Sequence, residues 1–143
     1  MKEYYIFNVK KEFASLYKNK QSDLFYIYNR IYYMKEIDKD YGYNLFEQIS
    51  NFYNKEDIDL FIKNRYMNIM MYSYSPYMHV INNLFLNEVS ILTIKNAYIK
   101  LETNINDPSF FNDLRELNKN LFVCSFKDND YFFLTKRNIK INC

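Results

Sequence analysis

The chain has 143 residues, a length typical of one domain, of which 49% are hydrophobic and 25% charged. A formal net charge of +2 is too small for the phosphate-driven affinity of a typical nucleic-acid-binding protein. A single glycine excludes a glycine-rich phosphate loop, and two cysteines are too few for a disulfide framework.

An aromatic strand and a short helix open the sequence. Residues 4–9 are apolar on both faces, which predicts a strand, and residues 11–18 predict a helix. Phe13 and Tyr17 are four residues apart, so their rings lie side by side on one face of this helix. Such a pair either closes a hydrophobic core or anchors a partner protein. Because Leu16 lies beside Tyr17, all three side chains could face the core, and both interpretations remain open.

Three further helices are predicted from capping residues and apolar spacing. Ser22 is predicted to cap the second and Asn54 the fourth, and Gly42 is predicted to mark the boundary of the third. The positions predicted to be buried recur every three or four residues. They are Leu24, Ile27, Tyr28 and Ile31 in the second helix, Tyr41, Leu45, Ile49 and Phe52 in the third, and Ile58, Phe61 and Ile62 in the fourth.

From Met67 onward the pattern predicts strands and one more helix. The predicted strands are residues 70–74, 78–81, 89–94, 98–102, 121–126 and 131–134. Asn96 is expected at positive φ in the loop at 95–97. Asp107 is expected to cap the last helix, with Pro108 at its first position and an inner stripe of Phe110, Leu114 and Leu117.

This order of elements predicts a single α+β domain over residues 1–143, with a mostly antiparallel sheet and helices packed on one or both of its faces. Residues 136–143 are expected to be a basic, flexible tail. No apolar signal region follows Met1, and no apolar run reaches the ~18 residues of a membrane-spanning helix. We therefore expect a cytoplasmic protein that does not bind membranes, and no obligate oligomer is predicted.

Few residues suggest catalysis or cofactor binding. His79 is the sole histidine, and no two Cys or His residues lie close enough in sequence for a zinc site. Cys124 lies in a predicted strand, where a cysteine is commonly a buried, unreactive side chain, although a disulfide to Cys143 stays open. The carboxylates cluster at Glu56, Asp57 and Asp59, which open a helix, and at Asp128 and Asp130, which fill a turn. We predict no enzyme activity, no cofactor and no metal.

Nucleic-acid binding is the alternative function. Aromatic residues alternate with lysines, as in Tyr98-Ile99-Lys100, and rings on an open sheet face can stack on bases. The competing interpretation is a sheet face packed under helices with lysines at its margin, and the low net charge favours it.

The sequence resembles the SirA family, the sporulation inhibitors of replication of Bacillus-type bacteria. The resemblance is carried by Tyr4-Tyr5, then Lys11-Glu12-Phe13-Ala14, then Tyr17. The later features follow in the family's order: Gln48-Ile49 in the third helix, a hairpin at 89–102, a helix with Phe110-Phe111 and a closing hairpin at 121–134. The similarity covers most of the chain.

The resemblance implies a non-enzymatic protein that binds the N-terminal domain of the replication initiator DnaA and blocks new rounds of replication. It implies partner contacts by an aromatic pair that falls on Phe13 and Tyr17, and by a glutamine that falls on Gln48. A shift of one residue would place Glu47 at the third position. The family has a proline where this chain has Lys136, so that contact is not carried over.

Overall fold

The computed structural model describes residues 1–135, in which five α-helices accompany an eight-stranded sheet. The helices are α1 Lys11–Tyr17, α2 Gln21–Tyr32, α3 Lys39–Ile49, α4 Lys55–Arg65 and α5 Ser109–Arg115, with a short 3₁₀ helix at Glu36–Asp38. The strands are β1 Lys2–Val9, β2 Ser50–Asn51, β3 Tyr72–Ser75, β4 Met78–Asn83, β5 Glu88–Ile94, β6 Ile99–Thr103, β7 Leu121–Ser125 and β8 Asp130–Phe133.

The sheet is antiparallel throughout and β1 lies near its middle. The strand order is β3-β4-β5-β6-β1-β7-β8. β1 pairs with β6 as far as Ile6, opposite Ile99, and the two residues of β2 then continue that side, with Val9 opposite Ser50. A strand between two others, covered on both faces, has apolar side chains on both faces, and this explains the aromatic run at the start of the sequence.

Helices cover both faces of the sheet. On one face Ile6 packs in a buried cluster with Ile62 of α4 and Phe110 of α5. On the opposite face Phe7 belongs to a second cluster, together with Tyr28 of α2 and residues of α1 and α3. The predicted α+β class and antiparallel sheet are therefore confirmed. The tail prediction falls on residues 136–143, outside the described part of the chain.

The predicted fourth helix is confirmed in its cap and in its buried face. The Asn54 side-chain oxygen accepts a hydrogen bond from the amide of Asp57 at 3.2 Å, and the helix begins at Lys55. Ile58 and Ile62 are buried, and Phe61 packs partly buried beside them. Within residues 1–135, neither this helix nor any other is long and apolar enough to cross a bilayer.

The buried face predicted for the third helix is wrong at two of its four positions. Tyr41 and Phe52 are exposed, and Gly42, Phe46 and Ile49 form the buried side of α3. The helix ends at Ile49 because the chain enters β2, so Phe52 lies beyond it. Gly42 lies inside the helix and not at its boundary. A β-carbon at Gly42 would stand 2.6 Å from the sulfur of Met34, so a larger residue here would require the flexible Met34 side chain to move.

Three predicted local signals are also wrong. Ser22 lies inside α2, which begins at Gln21, so it does not cap the helix. Asn96 is not at positive φ; among residues 1–135 the non-glycine positions with positive φ are Asn68, Asn87 and Asn129. Asp107 does not cap α5, which begins one residue later than predicted, after Pro108.

The N-terminus of α5 is capped by a residue of strand β5. Glu88 of β5 is fully buried, and its carboxylate accepts hydrogen bonds from the Ser109 amide at 2.9 Å and the Ser109 hydroxyl at 2.5 Å. Ser90 also donates to Glu88, at 2.6 Å. A buried carboxylate with three donors satisfies the helix end and favours its dipole, so a local capping residue is not required.

Candidate protein-binding surface

Helix α1 is held by backbone hydrogen bonds at the point where β1 ends. The Val9 amide donates to the carbonyl of Asn120 at 3.1 Å, and the Lys10 amide donates to the carbonyl of Ile49 at 2.8 Å. The Lys10 carbonyl then accepts from the Ala14 amide at 2.9 Å, which forms the first turn of the helix. The start of α1 is thereby joined to the end of α3, two segments that lie far apart in the sequence.

The aromatic pair on α1 is divided between core and solvent. Ala14 is the buried residue of the helix, and Phe13 and Tyr17 are half-buried against the same cluster, which contains Phe7 and Tyr28. Leu16 is 60% exposed. The interpretation in which Phe13, Leu16 and Tyr17 all face the core is therefore wrong, because Leu16 points away from it.

Gln48 lies on the exposed side of the last turn of α3, directly before Ile49. The hydrogen bond between Lys10 and Ile49 brings this end of α3 to the beginning of α1. We call the solvent-facing parts of Phe13, Tyr17 and Gln48 the α1–α3 surface.

Glu47, the alternative to Gln48, is also exposed but engages its own helix. A hydrogen bond between Glu47 and Tyr43 raises the pKa of the Tyr43 hydroxyl. This local pairing commits the carboxylate to a neighbour one turn earlier, so a partner reaching Glu47 would compete with Tyr43.

The single histidine belongs to a buried network between α4 and the sheet. His79 is fully buried; its Nε2 lies 2.7 Å from Asp59 Oδ1 and its Nδ1 lies 2.7 Å from the hydroxyl of Tyr72. Lys55 pairs with the other oxygen of Asp59 at 2.5 Å. Burial lowers the pKa of His79, against the opposing effect of Asp59. Because His79 has no exposed surface, it is a structural residue and not an accessible acid or base.

The other candidate residues for chemistry are likewise explained by structure. Cys124 is buried in β7, and burial raises the pKa of its thiol well above the ordinary range, which suppresses the thiolate. Cys143 lies outside the described residues. Over residues 1–135, no three His, Cys, Asp or Glu side chains converge as a metal site would require. Sequence reasoning missed the role of Asp59, because nothing local to α4 indicates that His79 packs against it.

The comparison with protein families identifies the family of the chain. The family model of the sporulation inhibitor of replication protein SirA matches residues 2–137. The chain belongs to the SirA family. No curated protein matches it. Because the match begins in β1 and extends past β8, the family covers every described element and supports a role as an inhibitor of replication in sporulation.

The alternative of a nucleic-acid-binding sheet finds little support in this SirA-family fold. Tyr98 is half-buried, and its ring packs against Tyr5 with a centroid distance of 5.4 Å. Lys100 lies 3.9 Å from Glu102. Aromatic rings that pack against one another and a lysine that faces a carboxylate do not form the open basic platform that bases require.

Proposed function

We propose that this SirA-family protein inhibits replication initiation by binding the N-terminal domain of the initiator DnaA through the α1–α3 surface. Phe13 and Tyr17 are the central contacts and Gln48 lies at the rim. The protein acts without catalysis, in the cytoplasm, where the initiator engages the chromosome.

The observation that carries this proposal is the half-buried state of both rings. A ring packed on one side against the core loses little conformational freedom when its other side meets a partner, so its contact area becomes affinity at a low entropic cost. Tyrosine adds a hydroxyl that can hydrogen-bond at a wet rim, and large aromatic residues dominate the binding energy of most protein interfaces.

The surroundings of the pair are those of a small interface. Leu16 extends the apolar area on the same helix, since 60% of it is exposed. Lys11 and Glu12 are exposed at the first turn and Gln48 at the end of α3, so polar groups flank the rings. An apolar centre with a polar rim is the usual arrangement of protein interfaces.

The test is a binding titration of the chain with the isolated N-terminal domain of DnaA by calorimetry. Phe13→Ala and Tyr17→Ala should each weaken binding by about 2 kcal/mol or more, which is roughly a thirtyfold increase in Kd. Matched controls are Phe85→Ala and Tyr77→Ala, which truncate exposed rings in turns at the β3–β4–β5 end of the sheet and should leave Kd unchanged.

Loss of packing must be separated from loss of contact, because both rings also touch the core. Gln48→Lys places a long charged side chain at an exposed position and should weaken binding while the urea midpoint stays the same. Glu47→Gln, at the alternative position, should change Kd less than Gln48→Lys. The proposal is wrong if Kd for the wild type is not measurable, or if the ring truncations, with their folds retained by circular dichroism, bind as the wild type does.

A further inference from the structure

A second concave site lies between helices α2 and α3 and the sheet, distinct from the α1–α3 surface. It is a cavity of about 300 Å³ whose eleven lining residues are all uncharged, and eight of them carry aromatic rings. We call it the aromatic cavity. Ligand sites are typically concave, mostly apolar and few in number, so this cavity is the natural place to look for a bound small molecule.

The floor of the aromatic cavity consists of buried aromatic rings that pack on one another. Phe7 of β1 and Tyr28 of α2 stack with a centroid distance of 4.1 Å and an interplanar angle of 8°. Phe46 of α3 meets Phe7 edge-on at 6.0 Å and 69°. All three side chains are buried, so they hold their positions without a ligand. Stacked and edge-on rings of this kind favour another aromatic ring over a flexible aliphatic chain.

The polar atoms nearest the floor are already paired. The hydroxyl of Tyr28 lies 2.5 Å from the hydroxyl of Ser50, and the hydroxyl of Tyr5 donates to Glu3 at 2.8 Å. A charged ligand would lose its hydration here without gaining an ionic partner from the lining residues, and such a loss costs several kcal/mol. The lining therefore selects for a neutral ligand.

The aromatic cavity opens to solvent at its mouth, and its volume limits the size of the ligand. Tyr32, Tyr43 and Phe52 surround the opening and are between 41% and 56% exposed. Gly42 forms part of the wall and adds no side chain to the space. An apolar cavity of ~150 Å³ holds one benzene ring, so about twice that volume holds two fused rings.

We propose that the aromatic cavity is a binding site for a neutral, planar aromatic molecule of about two fused rings, seated on Phe7, Tyr28 and Phe46. The occupant is a small molecule, because the floor is enclosed by side chains of α2, α3 and the sheet and only the mouth is open. This inference does not depend on the proposed binding of DnaA.

The test uses 2-naphthol as the neutral probe and 2-naphthalenesulfonate as its charged counterpart. The chain has no tryptophan, and its 16 tyrosines do not absorb at the longer wavelengths that excite naphthol, so naphthol fluorescence can be excited selectively. We expect saturable binding of one naphthol per chain, and at least tenfold weaker binding of the sulfonate. In nuclear magnetic resonance spectra the methyl signals of Ile31 and Ala97, in the wall, should shift, whereas those of Ile58 and Leu114, across the sheet, should not.

A filling variant and its control complete the test. Ala97→Leu adds bulk to the wall and should weaken naphthol binding at least tenfold, whereas Val89→Leu, at an exposed strand position away from the cavity, should not change it. Absence of saturable binding, methyl shifts outside the wall, or equal affinity for the sulfonate would overturn the proposal. The proposal of a small-molecule occupant would also be wrong if sedimentation shows a dimer that naphthol dissociates, because a second copy of the chain would then occupy the mouth.

Discussion

The buried histidine predicts a specific pH dependence of stability. In the neutral form of His79, Nε2–H donates to Asp59 and Nδ1 accepts from Tyr72, so both ring nitrogens are satisfied at 2.7 Å. Burial is the main reason that the pKa of the Tyr72 hydroxyl is raised to about 12. This hydroxyl therefore keeps its proton and remains a donor. A proton on Nδ1 would face this donor, and burial already disfavours the imidazolium.

The sign and size of the effect follow from the lowered pKa. The unfolded chain takes up a proton at His79 near pH 6.5, whereas the folded chain takes it up only at lower pH. The contribution of neutral His79 to the free energy of unfolding is therefore retained above about pH 6.5, and it is lost as the pH falls toward the pKa of His79 in the folded state. One proton bound only by the unfolded state removes at most about 1.4 kcal/mol between pH 7.5 and 5.5.

Urea unfolding followed by circular dichroism at constant ionic strength measures this loss. The wild type should lose stability from pH 7.5 to 5.5, and His79→Gln should abolish the dependence while costing about 1–3 kcal/mol at pH 7.5. Tyr72→Phe removes the bond that favours the neutral ring and should flatten the dependence. Tyr74→Phe, which alters a neighbouring ring 4.9 Å from His79, should not. A slope unchanged in His79→Gln would refute this account.

Two further predictions concern other buried groups. Glu88→Ala should lower the free energy of unfolding by about 2 kcal/mol or more, because it leaves Ser109 at the start of α5 without its acceptor. The control Asp107→Ala should change the free energy of unfolding by no more than about 0.5 kcal/mol. Thermal unfolding compares the two variants, and equal losses would contradict the assignment of Glu88 as the cap. In a Cys143→Ser background, the buried Cys124 should react with iodoacetamide only after unfolding, measured by mass spectrometry, and fast labelling of the native chain would contradict its burial.

The elements that sequence predicts well are those whose signal is local. β1 is apolar on both faces because it pairs with β6 and β7 beneath helices on both sides, and the sequence shows this directly. The cap of α4 at Asn54 is likewise a contact over three residues. In each case the residues that decide the structure are neighbours in the chain, so a pattern or a short motif contains the necessary information.

The features that sequence could not predict depend on distant partners. The cap of α5 is supplied by Glu88, which lies 21 residues before Ser109. His79 is matched to Asp59, 20 residues earlier and on a helix. The aromatic cavity combines side chains from α2, α3, β1 and the loops that follow β2 and β5. The periodicity of the sequence does not predict such long-range contacts, because they follow from the order of strands in the sheet.

The spacing of Phe13 and Tyr17 on α1 could not show whether the pair belongs to the core or to a binding surface. Four-residue spacing places Phe13 and Tyr17 together, but a ring has two sides, and in the structure each ring meets the core with part of its surface and solvent with the rest. A truncation at either position therefore changes stability and accessible surface together. Gln48 is exposed and precedes Ile49, whose carbonyl accepts from Lys10 at the start of α1. It can be altered without disturbing the packing of the rings, so its variant isolates the contact. If binding falls with Gln48→Lys and with both ring truncations, while only the truncations lower stability, then the same two rings serve the core and the interface.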